Sequence, residues 1–558
     1  MKNQLKTLAF VIIMVTGLTS CKDFLTEEPK GQLASLYYWQ SAADLDGAIN
    51  GLYGNLRATF ASEYSNGANL YAGDDIDCNP IGINLGAFSR YDNDPTNLWL
   101  NNIWQNTWKC IKNCNFIING APKVAEYGVS KEEIDFTLAI AHYWRAYFYF
   151  YLVRSWGAVP IMLEAEIDYN KKLNSMEEVY DLIVSDLKIA EGARINYDKV
   201  PYVLNGRNTV VGKAGAKATL AYVYMAMAGW PLNKGTEYYK LAAAKAKEVI
   251  DGVENGTYNY ALYDEHWKIY SVRPEYNYNH IEVLNAVYYN RDTGGQGNVC
   301  ADYINEIADG WGNSNAEIKF WCDYPEGPRK QAAYFPKMYL IGLSDTLGLL
   351  DWWYDTNPPK RLQVRPCFMR TIEGQIRGTD YDWTDPGKPH STSGDKIAKM
   401  VLLSEVYLWY AEALGRSGQT NQDAVNYVNM IRNRADGFGC VVDRSTVGIP
   451  EGDHVEHYTN IYPAGMTAEE LAEAAYDEHG WEIAGNYAGT IAGRYWDMHR
   501  MYRVKAHFEE RVRDPEYEVA PGVFRRMGGT PTTGSWSDDK MWLPYPADDV
   551  MLNPNLNN

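Results

Sequence analysis

Three aspartates and two cysteines in the first part of the chain are spaced so that they could bind a metal ion. Asp74, Asp75 and Asp77 offer the carboxylate oxygens that Ca²⁺ prefers, but no EF-hand spacing follows them. Cys110 and Cys114 stand at helical i, i+4 spacing, yet zinc would need two further ligands, and no CxxC pair or clustered histidines accompany them. We therefore predict no metal and no cofactor: a solvated acidic loop in the first case, and two small buried residues on one helix face in the second.

The sequence carries none of the usual signatures of catalysis. It contains neither HExxH nor GxSxG. The stretch that begins at Gly206 differs from a phosphate-binding loop because its glycines are spaced too widely, and Ala214 follows Lys213 where Ser or Thr is needed. Since 71 acidic residues always allow some pair of carboxylates, a glycoside hydrolase stays open as an alternative. We predict that the protein is not an enzyme.

Aromatic rings are the most abundant side chains that could bind a ligand. The chain has 44 Tyr, 18 Trp and 14 Phe residues, and the excess of Tyr indicates rings with one edge in water. Flat rings can stack on the C–H faces of sugars, while polar side chains pair with the hydroxyls. Trp311 stands between two glycines, which favours an exposed ring. In the pair Trp352 and Trp353, an extended backbone points the rings in opposite directions, so at most one should face solvent.

The N-terminus has the pattern of an export signal. Two lysines precede an apolar run, Leu8 to Leu18, that is too short to cross a bilayer of roughly 30 Å. The run leads into Leu18-Thr19-Ser20-Cys21, which resembles the lipobox of bacterial lipoproteins, whereas an ordinary secretory signal needs no cysteine there. We expect residues 1–20 to be cleaved, Cys21 to carry a lipid anchor, and residues 21–36 to form a leash.

Composition narrows the class of protein further. The chain has 558 residues, of which 46% are hydrophobic, so it can bury a large core. It carries 52 basic and 71 acidic residues, a net charge of -19, and such a field disfavours nucleic acid and anionic lipid as partners. Eight scattered cysteines, one of them Cys21, do not suggest a disulfide scaffold.

Helical periodicity dominates the elements that must position these residues. Two hairpins are predicted, one from Lys213–Gly229 with Tyr238–Gly252 and one from Lys399–Gly415 with Asp423–Ala435. A looser pair joins Glu132–Trp156 to Met176–Gly192. Small residues on the first helix of a pair let its partner approach closely, which is typical of tetratricopeptide-like repeats. We predict a mainly α fold, in which these hairpins form a scaffold and long loop-rich insertions carry the binding face.

Several segments, in order along the chain, resemble the SusD/RagB family of outer-membrane nutrient-binding lipoproteins. They are Cys21-Lys22-Asp23-Phe24-Leu25, Trp104 with Trp108, Ile111 and Asn115, Arg145-Ala146 with Trp156-Gly157 and Val159-Pro160, Leu403 to Ala413 with Ile431 to Ala435, and Leu543-Pro544-Tyr545-Pro546 with Asn553-Pro554-Asn555-Leu556. One family segment departs from the pattern, because an insertion separates Tyr476–Glu482 from Arg494.

The resemblance implies a function as well as a fold. It implies a protein on the outer face of the outer membrane that pairs with a SusC-like TonB-dependent transporter, acts as its lid and captures oligosaccharides for import, without catalysis. The expected organisation within one compact body is a helical part at residues 37–253, a loop-rich ligand-binding region at 254–395 and a C-terminal part at 396–558. The alternative is that the protein captures peptides, as RagB-like members do.

The resemblance also places the ligand site by region. One region precedes the helix that contains Trp104 and Trp108, and the other lies between Tyr288 and Trp383. We expect the rings of Trp104 and Trp108 themselves to lie in the core. The candidate ligand-binding residues in these regions are Asp77, Arg90, Tyr91, Asn97, Trp99, Trp311, Trp321 and Trp353.

Overall fold

Paired helices form the body of the molecule, as the hairpin pattern predicts. In the computed structural model, residues 131–156 and 176–192 form one pair and residues 213–228 and 236–254 the next, and each helix packs against the following one. The helix at 236–254 then packs against the helix at 403–416, although a long stretch of chain separates them. The predicted pairs therefore stack into one continuous scaffold, and the mainly α fold is confirmed.

The structure describes residues 38–61, 68–78, 83–166, 168–194, 202–204, 207–270, 274–289, 298–299, 314–334, 337–338, 350–353, 365–368, 393–394, 396–436, 461–485, 490–527 and 532–557. The helices within these ranges are α1 (Ala42–Thr59), α2 (Ile83–Arg90), α3 (Leu98–Gly120), α4 (Lys131–Trp156), α5 (Met176–Gly192), α6 (Lys213–Ala228), α7 (Thr236–Glu254), α8 (Pro274–Asn277), α9 (Ile318–Asp323), α10 (Pro328–Ala333), α11 (Leu403–Arg416), α12 (Gln422–Asp436), α13 (Ala468–Ile483), α14 (Arg494–Arg500), α15 (Val504–Arg513) and α16 (Ala547–Leu552).

The strands are short and pair two by two. They are β1 (Ile76–Cys78), β2 (Val203–Leu204), β3 (Arg207–Asn208), β4 (Val283–Val287), β5 (Asn298–Val299), β6 (Ser314–Ala316), β7 (Lys337–Met338), β8 (Leu350–Asp351), β9 (Ser393–Gly394), β10 (Ala398–Leu402), β11 (Glu516–Ala520) and β12 (Val523–Arg526). The antiparallel pairs are β1 with β6, β2 with β3, β4 with β10, β5 with β9, β7 with β8, and β11 with β12.

Local sequence signals fix where the scaffold helices begin. Ser130 accepts a hydrogen bond from the Glu133 backbone N–H at the start of α4, and the Glu133 carboxylate accepts one from the Ser130 N–H in return. Ser175 and Glu178 form the same reciprocal cap on α5. Such capping boxes satisfy backbone donors that a helix start would otherwise leave unpaired.

One predicted helix boundary is wrong. The helix expected to begin at Lys399 begins at Leu403, because residues 398–402 form strand β10 and pair with β4. All five strand residues are buried. In the sequence they continue the apolar pattern of the helix that follows, so the pattern predicts one longer helix. The pairing partner lies more than a hundred positions earlier, where periodicity within one window gives no signal.

The stripe of α3 that holds Trp104 and Trp108 faces the core, as predicted. Both rings are buried, and they meet edge to face with their centroids 5.5 Å apart. Cys110 and Cys114 on the same helix are fully buried, which confirms the prediction of two small core residues. Within the described residues, the helices are each too short or too polar to span a lipid bilayer.

Candidate functional site

The two regions predicted to carry the ligand site are joined in the structure. Strand β1 lies in the first region and β6 in the second, and the two pair antiparallel with Asp77 opposite Asn315. Next to this ladder, the Glu317 backbone N–H donates to the Asp75 carbonyl oxygen at 3.0 Å. Segments some 240 positions apart in the chain, roughly the separation of Asp77 and Asn315, therefore form one unit.

A buried arginine from the C-terminal part of the chain holds this unit together. The Arg511 guanidinium donates to the Glu317 carboxylate at 2.7 Å, to the Ser89 carbonyl at 2.7 Å and to the Gly73 carbonyl at 3.0 Å. The planar fork of an arginine suits such a cluster of acceptors, and its contacts with Glu317 are charge-assisted. Arg511 thus ties residues 68–90 to the helix α9 that follows Glu317.

The prediction of a solvated acidic loop at Asp74–Asp77 is wrong. Asp77 is buried, and its carboxylate lies 3.1 Å from the Arg365 guanidinium. Asp74 pairs with Arg494 at 2.7 Å, and this pairing lowers the pKa of the Asp74 carboxyl. Arginines from distant segments replace the water that the sequence led us to expect, and among the described residues no acidic cluster has the form of a metal site.

Asp75 is the one carboxyl of this group without an arginine in a direct ion pair in the described residues. It is buried, and its Oδ2 accepts a hydrogen bond from the Gly485 backbone N–H at 2.9 Å. Burial, together with the neighbouring Asp74 charge, raises the pKa of Asp75 to about 7. The group is therefore close to half protonated at neutral pH.

Two half-buried tryptophan rings lie beside this unit and form its accessible aromatic surface. The ring of Trp321 on α9 has its centroid 5.8 Å from that of Trp353 and 5.2 Å from that of Trp352. Trp352 is fully buried and Trp353 is half-buried, so at most one of the two faces solvent, as predicted. The expected opposite direction of the rings is wrong, because residues 352 and 353 lie in a turn and their ring centroids are 5.3 Å apart. The Lys330 ammonium lies 4.0 Å from the centroid of the Trp321 ring, a cation–π contact, and the Arg525 guanidinium donates to the Trp353 carbonyl. We call Trp321, Trp352 and Trp353 the tryptophan cluster.

Tyr91 lies in a separate pocket of about 350 Å³. Its backbone has φ of 58°, and its hydroxyl donates to the Ala72 carbonyl at 2.5 Å, which fixes the ring against the wall. The Lys540 ammonium donates to the Tyr91 carbonyl at 3.1 Å. The pocket is lined by Ala72, Phe88, Tyr91, Asn93, Tyr495, Asp539, Lys540, Trp542, Leu543 and Pro544.

Three further candidate residues lie at the end of α2 and at the start of α3. Asn97 caps the helix: its Oδ1 accepts from the Trp99 backbone N–H at 3.0 Å, and its own amide donates to the Asn84 carbonyl. The Trp99 ring is half-buried and packs against the core. Arg90 forms a surface ion pair with Asp92 at 2.9 Å. Asn97 is therefore occupied by the backbone, whereas Trp99 and Arg90 keep accessible surface.

Of the remaining candidates, Trp311 and the proposed lipidation site Cys21 lie outside the described residues. The lining of the Tyr91 pocket by Tyr495, Lys540 and Trp542 was missed by the sequence analysis. These side chains lie more than 400 positions after Tyr91, and only the aromatic-rich ending of the chain hinted at them. Lys330 was missed as well, since a cation over a ring has no signature in sequence.

Models of two protein families match this chain. The one described as the SusD family matches residues 382–558, and the one described as "Starch-binding associating with outer membrane" matches residues 23–225. Together the matches begin just after Cys21 and reach the last residue.

Two relatives resemble the chain over nearly its whole length. SusD-like protein P2 of Formosa agariphila is 23% identical, and the alignment covers 98% of each chain. A SusD-like protein of Bacteroides ovatus is 24% identical over 98% of this chain and 96% of the relative.

Solved structures share the fold. A SusD homolog from Bacteroides thetaiotaomicron superposes with a TM-score of 0.71 at 16% identity, covering 93% of this chain and 97% of the other. A protein crystallised with a xylogluco-oligosaccharide gives 0.65 at 19% identity over 92% and 98% of the two chains. Surface glycan-binding protein A from Bacteroides uniformis gives 0.66 at 16% identity, again over 92% and 98%.

Proposed function

From the premise that this chain belongs to the SusD/RagB family, we propose that it captures oligosaccharides at the cell surface for import through a SusC-like TonB-dependent transporter, acting as its lid. The observation that carries the proposal is the tryptophan cluster: two accessible rings, Trp321 and Trp353, held by a buried third ring on the unit formed by β1 and β6. The protein solved with a xylogluco-oligosaccharide supports a sugar as the ligand.

The arrangement suits reversible binding of sugar rings. Trp321 and Trp353 are inclined at 57° to each other, so together they offer a bent apolar platform to successive rings of a chain. The buried Lys330 ammonium pairs with the Glu326 carboxylate and lies over the Trp321 ring, so it holds this ring of the platform in place. Each stacked ring contributes only about 1 kcal/mol beyond its buried area, so binding is weak enough for release into a transporter.

Trp99, Arg90 and the wall residue Tyr91 belong to the proposed site as its second part. Arg511 fixes their segment to the helix that carries Trp321, so both parts keep a constant spacing when a ligand binds. Trp311 remains a candidate of the sequence analysis, and so do the buried Asp77 and Asn97. In this proposal Asp77 and Asn97 hold neighbouring residues of the site in position.

The proposed site is tested by measuring glycan binding with the soluble chain that begins after Cys21. Plant and host oligosaccharides are screened against the wild type and against Trp321→Ala and Trp353→Ala. We expect both variants to weaken binding at least tenfold. Trp267→Ala, which removes a half-buried ring outside the tryptophan cluster, is the matched control and should bind as the wild type does.

Each outcome has a definite meaning. A ligand that binds all four proteins equally would remove the tryptophan cluster from the site. Failure of the wild type to bind any oligosaccharide, together with bound peptide after native purification, would replace the sugar by a peptide as the captured nutrient. Release of products from a glycan would contradict the proposal that the protein is not an enzyme.

We propose that the anchor is a lipid on Cys21 and that residues 1–20 are removed, so that the protein is held on the outer face of the outer membrane. The family model whose description names the outer membrane begins to match at residue 23. Cys21→Ser should move the protein from the membrane to the soluble fraction and abolish labelling by a fatty-acid analogue. Co-purification of a TonB-dependent barrel with the wild type tests the proposed partner.

A further inference from the structure

A second pocket, separate from the tryptophan cluster and from the Tyr91 pocket, lies between α3 and the C-terminal segment. Its volume is about 320 Å³, at the small end of the range for sites that bind small molecules. It is lined by Trp104, Gln105, Trp108, Lys109, Lys112, Pro160, Met162, Tyr169, Asp548, Asp549, Leu552, Asn553 and Leu556. A cavity of this size suits a single small molecule better than a chain of sugar rings.

Most of the lining is apolar, and the exception is a buried donor. Trp108, Met162 and Pro160 offer apolar surface. Trp104 is 2% exposed, and its indole N–H faces the Asp549 carboxyl. Burial raises the pKa of Asp549, and the hydrogen bond from Trp104 opposes that rise, so Trp104 helps to hold the Asp549 carboxylate at the wall of the pocket.

The two walls of the pocket carry opposite charges. Helix α3 contributes Lys109 and Lys112, and helix α16 contributes Asp548 and Asp549. None of the four forms an ion pair with another described residue, in contrast to the many paired charges elsewhere in the fold. Both signs are therefore available to a ligand.

We propose that this pocket binds a free α-amino acid with a large apolar side chain. The ligand's ammonium group faces Asp548 and Asp549, and its carboxylate faces Lys109 and Lys112. The apolar side chain covers Trp108 and its neighbours. A simple anion would meet the aspartates and a simple cation the lysines, so only a zwitterion matches both walls.

Calorimetric titration and saturation-transfer NMR on the purified full-length protein test this proposal. The probes are L-tryptophan and L-leucine, with N-acetyl-L-leucinamide as the matched probe that lacks both charges. We expect the two zwitterions to bind and the neutral probe to bind at least tenfold more weakly. The double variant Lys109→Gln/Lys112→Gln should lose at least tenfold in affinity for the zwitterions, whereas Lys131→Gln, an exposed lysine of α4, should not.

The contrary outcomes are equally clear. Absence of zwitterion binding at millimolar concentration, equal binding of the neutral probe, or unchanged affinity in a correctly folded double variant would each overturn the proposal. The same variants are also screened against oligosaccharides, where they should behave as the wild type. The glycan assay measures binding at the tryptophan cluster, and the amino-acid assay measures binding at the second pocket. Failure of the proposed function and failure of the amino-acid proposal are therefore distinguishable.

Discussion

At the scale of single residues, the burial of Asp75 makes folding stability depend on pH. Its pKa of about 7 in the folded protein lies above the value of 3.8 for an unperturbed aspartate. Between these values the folded protein holds a proton that the unfolded chain has released, so stability declines as pH rises from about 4 to 7. Above pH 7 the folded protein must hold a buried carboxylate beside the Asp74 charge.

Asp75→Asn should remove this dependence. The asparagine can still accept from the Gly485 N–H, and it cannot ionise. We expect the variant to exceed the wild type in free energy of unfolding by roughly 1–4 kcal/mol at pH 8, and to differ little at pH 4. Urea denaturation at both pH values measures the difference. Asp181→Asn on the surface of α5 is the control, and an unchanged pH slope in Asp75→Asn would contradict the prediction.

At the scale of elements, two helical glycines have opposite roles. A Cβ at Gly415 of α11 would lie 2.4 Å from the Ala468 carbonyl oxygen and 2.8 Å from the Ala472 nitrogen, so α11 and α13 touch there through their backbones. A Cβ at Gly51 of α1 would meet nothing within 4 Å. Gly415 thus sets the spacing of two scaffold helices, whereas Gly51 sets none.

Substitution by alanine should therefore shift stability in opposite directions. Gly415→Ala forces α11 and α13 apart, and we expect a loss of about 1–3 kcal/mol. Gly51→Ala gains helix propensity without a clash and should add about 0.5–1 kcal/mol. Thermal unfolding followed by circular dichroism measures both. Shifts of the same sign in the two variants would show that backbone contact between α11 and α13 does not limit the residue at 415.

At the scale of the whole molecule, Arg511 joins three parts of the chain that lie far apart in sequence. It contacts carbonyls within residues 71–89 and the carboxylate of Glu317, and it belongs to α15 near the C-terminus. The unit that carries the proposed sugar site therefore depends on a residue outside it.

Arg511→Ala should destabilise the fold and weaken glycan binding together. Removal of the guanidinium leaves Glu317 buried without its arginine, and breaking such a buried pair costs about 3–5 kcal/mol. Arg511→Lys should lose less, because it keeps the charge but not the fork of donors. Denaturant unfolding and the glycan assay measure the two effects. Arg513→Ala, two residues on and exposed, is the control, and equal midpoints for Arg511→Ala and Arg513→Ala would refute the prediction.

Local patterns in the sequence determined the scaffold. The pairs α4 with α5 and α6 with α7 follow from apolar periodicity, from small residues at close approaches, and from caps such as Ser130 with Glu133. These features depend on residues a few positions apart, so the sequence reveals them directly.

Only the tertiary structure decided the features that depend on contacts between residues far apart in the chain. Residues 398–402 became a strand because β4 lies beside them, and Asp77 became buried because Arg365 neutralises it. The same holds for the Tyr91 pocket, whose far wall comes from Lys540 and Trp542, and for Lys330 over Trp321. A buried charge needs an oppositely charged partner, and a strand needs a neighbouring strand. Packing between segments that lie hundreds of residues apart brings these partners together, so the neighbouring sequence does not reveal them.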